Sequence, residues 1–367
     1  MPQRQQERVR SRRPRLRFCR WASCLLRRRT RDAAVRSLAS FLAQTGDQPI
    51  SRLEMAKLWK GIFYCFWMSD KPLVQQALAQ ELADLVLTVP GTSRVPAPAV
   101  AGFEGSAGEI PMRVRGGLAM LEGFWDAMAR EWSGLDKWRI NKFYLLLRRF
   151  INAAFRLLAR DAWDPASVEH FGRLLVKSEG GGPLCANDPK VPDSLTYHLT
   201  DVYLEELERA LGSASEDEKE DGEESSEASF SLTALLQPMA RTVATCHSST
   251  VYDKIMDNVL QPLLDDCLVA AASQDEGDDD EGGRSAKRRK TDAEEEEEEN
   301  DVTYPQILSA ARKTGQSPLA LRKAVYQLLF EAASRADALP QRRRRLYALC
   351  QKERERREEE EDEEDDE

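Results

Sequence analysis

Four cations recur along one stretch of the chain at spacings that a helix would align. At 100° per residue, Lys142, Arg149, Arg156 and Arg160 fall within roughly 40° of one another. The opposite face carries Ile140, Phe143, Leu147, Ile151, Ala154 and Leu158. The chemistry such a row offers is tracking of RNA phosphates or docking of an acidic partner; a solvated helix face has the same pattern. Arg139 and Arg148 flank the row, where ion pairs to neighbouring elements are the alternative use. A second cluster, Lys287-Arg288-Arg289-Lys290, stands between acidic runs accessible to an import receptor and reads as a nuclear-import signal.

The sequence holds no catalytic constellation. The chain has no GxxxxGK[ST], GxSxG or HExxH, and its histidines, His170, His198 and His247, are far apart. Seven cysteines are scattered without a CxxC pair, which argues against both a disulfide framework and a metal site. Acidic pairs abound only in low-complexity tracts, which do not hold a carboxylate still for acid–base work. The expectation is a non-enzyme with no cofactor, no metal and no small-molecule substrate. No apolar run reaches the length of a membrane span, so no membrane partner is expected.

The charge is unevenly spread. A net −10 over 367 residues is the sum of about −25 in three acidic tracts (216–227, 275–301 and 353–367) and about +15 elsewhere. Residues 1–31 hold twelve arginines against a single acid, Glu7. This arm suits nucleic-acid binding or nuclear import better than a secretory signal or a mitochondrial presequence. The expected organisation is a disordered basic arm (1–29), an all-α core domain (30–271) containing a surface loop (91–111) and an acidic linker (212–229), a disordered acidic linker (272–301), a helical segment (302–352) and an acidic tail (353–367).

Positioning falls to helices throughout. The stretch Lys57 to Pro72 is apolar around nearly its whole circumference, so it reads as a core helix covered on several sides, with Ser51 and Glu54 at capping-box spacing before it. Leu118, Leu121, Trp125, Met128 and Trp132 stripe another helix. Asp136 is placed to cap the helix over about 137–160, and Asp164-Pro165 to start the next. Trp59, Phe63, Phe66, Trp67, Trp125, Trp132 and Phe143 form the expected core motif. The half-buried alternation of a strand occurs nowhere. Helices joined mostly by short loops predict an all-α fold of stacked helical hairpins, bundle-like or an irregular α-solenoid, with disordered acidic tracts.

The runs LWKGIFYCFWMSDKP (58–72) and FWDAMAREWSGLDKWRINKFYLLLRR (124–149) resemble the ribosomal RNA-processing protein 1 family. GGPL (181–184), VPDSLTYHLTDVYLEEL (191–207) and RRRRLYAL (342–349) are similar to it as well. The likeness covers about 30–271 and, more weakly, 303–352. It implies an all-α, non-enzymatic assembly factor of the large ribosomal subunit, in the nucleus and nucleolus. Expected partners are proteins of the pre-60S particle and, by direct contact, pre-rRNA. The acidic tracts taken alone would equally suit a histone-binding chaperone or chromatin factor; the Trp-rich helices favour the first reading.

Overall fold

The computed structural model describes residues 28–44, 50–105, 107–178, 180–185, 187–221, 229–278 and 302–365. The basic arm up to residue 27 and the Lys287–Lys290 cluster lie outside the described residues. In chain order the first helices are α1 (Arg28–Gln44), α2 (Arg52–Trp67), α3 (Pro72–Ala83), α4 (Met112–Glu131), α5 (Ile140–Ala159) and α6 (Pro165–Leu175). They are followed by α7 (Asp193–Asp221), α8 (Leu232–Thr245), α9 (Ser249–Ile255) and α10 (Gln261–Asp278), then α11 (Pro305–Lys313), α12 (Pro318–Ser334) and α13 (Pro340–Asp365).

Packing advances along the chain. α2 lies on α4, α3 and α4 on α5, α5 on α7, α6 on α8, and α8 and α10 on α12. Most helices therefore cover elements near them in sequence, which makes the all-α body solenoid-like. A single apolar core runs from Val35 through to Leu346. At its N-terminal end the aromatic rings interlock: Phe124 stacks on Phe150 at 4.1 Å, Trp59 meets both edge-on, and Phe143 contacts Phe63 and Phe66. Trp125 is buried beside Phe124, and the buried Trp132 donates its indole N–H to Ser194 Oγ at 2.8 Å.

Local signals explain several boundaries. Ser51 Oγ accepts the Glu54 N–H and donates to the Glu54 carboxylate, starting α2. Asp164 accepts the Ser167 N–H with Pro165 in the first turn of α6. The reversal between α5 and α6 is made by Ala162 and Trp163 at φ +54° and +56°, a left-handed pair that turns the Trp163 indole into the core against Phe230. Asp136 does sit before α5, but its carboxylate closes a turn, accepting the N–H groups of Trp138 and Arg139.

Two expectations need correction. The 91–111 loop contains an antiparallel pair, β1 (Arg94–Pro96) with β2 (Glu109–Pro111), Val95 opposite Ile110, and Ile110 is buried. Three-residue strands bounded by prolines are too short to show a period of two. Parts of the tracts read as disordered are helical: α7 runs on to Asp221, α10 to Asp278 and α13 to Asp365. Each extends a helix already nucleated by packing, and glutamate is a good helix former once the costly first turn exists. Arg342, the first arginine of the 342–345 run, is buried in the body. It is 3% exposed, donates to the carbonyls of Cys246, His247 and Ser248, and lies 4.7 Å over the Tyr252 ring.

The helices after residue 301 join the body through carboxylates. Glu208 of α7 accepts the N–H groups of Gln306 and Ile307 at 2.7 and 2.9 Å, and Asp266 of α10 accepts those of Thr303 and Tyr304. Two anions thus satisfy the orphan donors at the start of α11, where the helix dipole favours them.

His170, on α6, supplies a proton-linked element of stability. It is 3% exposed, its Nδ1 has no partner among the described residues, and burial pushes its pKa down to about 4 against a weaker pull from Glu122. The unfolded chain therefore binds the proton first on acidification, and stability falls as pH drops from about 6.5 towards 4. Between pH 7 and 4.5 the loss due to this residue is about 2.5 kcal/mol. Denaturant melts at both pH values should show a fall smaller by about that amount in His170→Gln than in the parent. Equal falls would remove His170 as the linked group.

Candidate functional site

Most of the cationic row of α5 is engaged with other parts of the chain. Lys142 is 6% exposed; its ammonium donates to the carbonyls of Trp67 (2.6 Å) and Ser69 (2.8 Å) and lies 3.7 Å from Asp70. Burial lowers its pKa, and the Asp70 carboxylate works against that. The expectation of an exposed Lys142 is thus overturned. Arg156 pairs with Asp84 at 3.1 Å, and Arg160 donates to the Leu87 carbonyl at 3.0 Å. Burial, then the neighbouring Arg113 and Arg156, push the Arg160 pKa down. Arg149 is half-buried, with its Nε shielded and unpartnered among the described residues.

The physical reason is what lies opposite. The end of α2, and the tight turn Asp84–Leu87 that follows α3, present carbonyl oxygens at a negative helix terminus, and α5 brings its cations to them. The row fastens the α2–α3 hairpin to α5, and the burial of Lys142 breaks it as a continuous exposed stripe. Flanking Arg148 pairs with Glu205 and the fully buried Glu206 of α7, and Arg139 with Asp136.

A different surface carries both charge and aromatic rings. At helical angles Lys57, Lys60, Tyr64, Trp67 and Met68 share one side of α2. Tyr64 (43%) and Met68 (45%) are exposed, Trp67 is half-buried, and both lysines are exposed. The turn before α5 extends this side. Arg139 lies 5.0 Å over the Trp67 ring, Lys137 lies 5.0 Å over the Trp138 ring, and Trp138 is 82% exposed. Lys71, in the turn that follows α2, is exposed as well. The Asp136 carboxylate, by accepting the Trp138 and Arg139 N–H groups at 2.9 Å, holds the backbone that presents the indole.

Reading α2 as apolar all round hid this side. Its signal was present: Trp59, Ile62, Phe63 and Phe66 take the buried arc, leaving Tyr64 and Met68 to share an arc with lysines. Trp138 falls just before α5 in a turn with no periodicity to assign it a face. Among the described residues no group of histidine, cysteine, aspartate and glutamate side chains is arranged to hold a metal ion. Nor is any described helix long and apolar enough to cross a membrane.

Comparison with known proteins places the chain among relatives. It is 31% identical over 180 residues to Ribosomal RNA processing protein 1 homolog B of Mus musculus, covering 48% of this chain and 21% of the relative. It is 27% identical over 244 residues to Ribosomal RNA processing protein 1 homolog A of Homo sapiens, covering 66% and 44%. A homolog from Drosophila melanogaster is 30% identical over 171 residues, covering 46% of this chain and 21% of the relative. The matches thus span between about a fifth and under half of these relatives' lengths. The family model described as "Nucleolar protein, Nop52" matches residues 24–367, nearly the whole sequence. With its Trp-rich helices stacked into one all-α body, the chain belongs to the Nop52 family of nucleolar proteins.

Proposed function

We propose that this chain is a nucleolar, non-catalytic assembly factor for the large ribosomal subunit, a scaffold on pre-60S particles that is needed for pre-rRNA processing. The observation that carries the reading is family membership across residues 24–367, together with relatives named for ribosomal RNA processing. The fold supports it physically. A solenoid-like stack of helices offers long, rigid surface at low conformational cost, which suits binding of several partners rather than enclosure of a substrate. Its partners are proteins of the pre-60S particle and pre-rRNA.

The test uses the full chain, tagged, in gradient sedimentation alongside depletion. The chain is expected to travel with large-subunit precursors, and depletion to lower large subunits and accumulate late precursors of their rRNA while sparing small-subunit rRNA. A selective small-subunit defect, or sedimentation with chromatin and histones instead, would overturn the reading.

A further inference from the structure

We propose that the aromatic and cationic corner formed by α2 and the turn before α5 binds single-stranded RNA, with Trp138 as its stacking platform. The proposal rests on the ribosome-assembly reading only for the source of that RNA, a pre-rRNA. Trp138 is the most exposed large apolar side chain among those described, at 82%, and the fold gains little from an indole left in water. Yet its backbone is fixed by Asp136, so the ring stands on a defined turn. An unstacked base finds on it a π-face, which is how sequence-tolerant single-strand binding gains affinity.

Charge chooses the occupant. Lys57 and Lys60 share one side of α2, exposed Lys71 lies in the turn that follows it, and none of the three has a carboxylate within ion-pair distance among the described residues. Lys137 and Arg139 add two more cations, each poised over an indole. The carboxylates of the corner are engaged: Asp70 lies by Lys142, and Asp136 pairs with Arg139. Interfaces between proteins deplete lysine around their aromatic anchors, whereas lysine interleaved with exposed rings matches a phosphate backbone carrying splayed bases. A duplex keeps its bases stacked on one another and makes no use of the platform.

The experiment is fluorescence anisotropy on the purified full chain, with a labelled 12-nucleotide oligouridylate and the same strand annealed to oligoadenylate. The single strand should bind more tightly than the duplex. Trp138→Ala should weaken single-strand binding about tenfold without moving the melting temperature. Lys57→Gln, Lys60→Gln and Lys71→Gln combined should flatten the slope of log affinity against log salt by about 2, while Lys323→Gln on exposed α12 surface leaves it unchanged. Unchanged affinity in Trp138→Ala, or no binding of oligouridylate by the parent, overturns the proposal. So does loss of Trp138→Ala from precursor particles with RNA affinity intact, which would make the corner a protein dock. If the parent binds through Trp138 but never sediments with large-subunit precursors, the assembly reading fails and this assignment stands.

Discussion

Glu353→Ala should cost the protein about 3–5 kcal/mol of unfolding free energy, although the residue opens the acidic run at the end of the chain. Arg322 of α12 grips this carboxylate with two hydrogen bonds, 2.8 and 2.7 Å, and also donates to the Leu264 carbonyl of α10. Arg322 and Glu353 are 5% and 6% exposed. Removing the carboxylate leaves a guanidinium buried without its counter-charge, which is the expensive half of breaking a buried pair. Burial by itself would raise the Glu353 pKa; hydrogen bonds and charge from Arg322 and Arg356 outweigh it and hold it at about 2. The folded value lies below the unfolded one, so this stability is complete above about pH 4.5 and is lost as pH falls through about 2. Exposed Glu355→Ala is the control, expected within about 0.5 kcal/mol of the parent. Replacing both partners, as Arg322→Met with Glu353→Leu, should recover most of the loss, because no fully buried guanidinium is left without its counter-charge; Arg356, the carboxylate's other partner, is partly exposed. Chemical melts of the three variants beside the parent decide it: equal effects of the two single glutamate-to-alanine substitutions would return Glu353 to a solvated tail.

The second large effect concerns Lys142. Lys142→Met is expected to destabilise by about 3–5 kcal/mol, since it removes two hydrogen bonds from a charged donor and strands the Trp67 and Ser69 carbonyls. Arg156→Gln and Arg160→Gln should each cost about 1 kcal/mol or less, because their contacts face water. A solvated row would tolerate all four replacements; the structure predicts instead that nearly all the loss in a combined variant traces to position 142. Thermal and denaturant melts of the single variants would show it, and a Lys142→Met protein melting like its parent would contradict the clamp.

These two residues mark how far pattern carries. Angular arithmetic correctly groups Lys142, Arg149, Arg156 and Arg160 on one side of α5, because helix geometry is local. It does not reveal that the end of α2 and the turn after α3 lie against that side with unsatisfied carbonyls. Glu353 looks like the first of many solvated acids because composition is averaged over neighbours, and burial is not. Tyr64 fails the other way: an apolar run around nearly the whole helix sends its ring to the core, yet it is exposed, while Trp138 stands in a turn whose lack of periodicity assigns it no face.

What the sequence determined by itself is the helical class, most helix starts and stops, the aromatic content of the core and the family. Each is written in period, capping residues or motif, all of which act over a few residues. Tertiary structure alone decided which cations serve as internal clamps, which carboxylates hold α11 and α13 to the body, and which aromatics remain in water. Those outcomes depend on pairs such as Lys142 with Trp67, Glu208 with Gln306 and Arg322 with Glu353, between 31 and 98 residues apart. Only the packing of one helix on another brings such partners within hydrogen-bond reach.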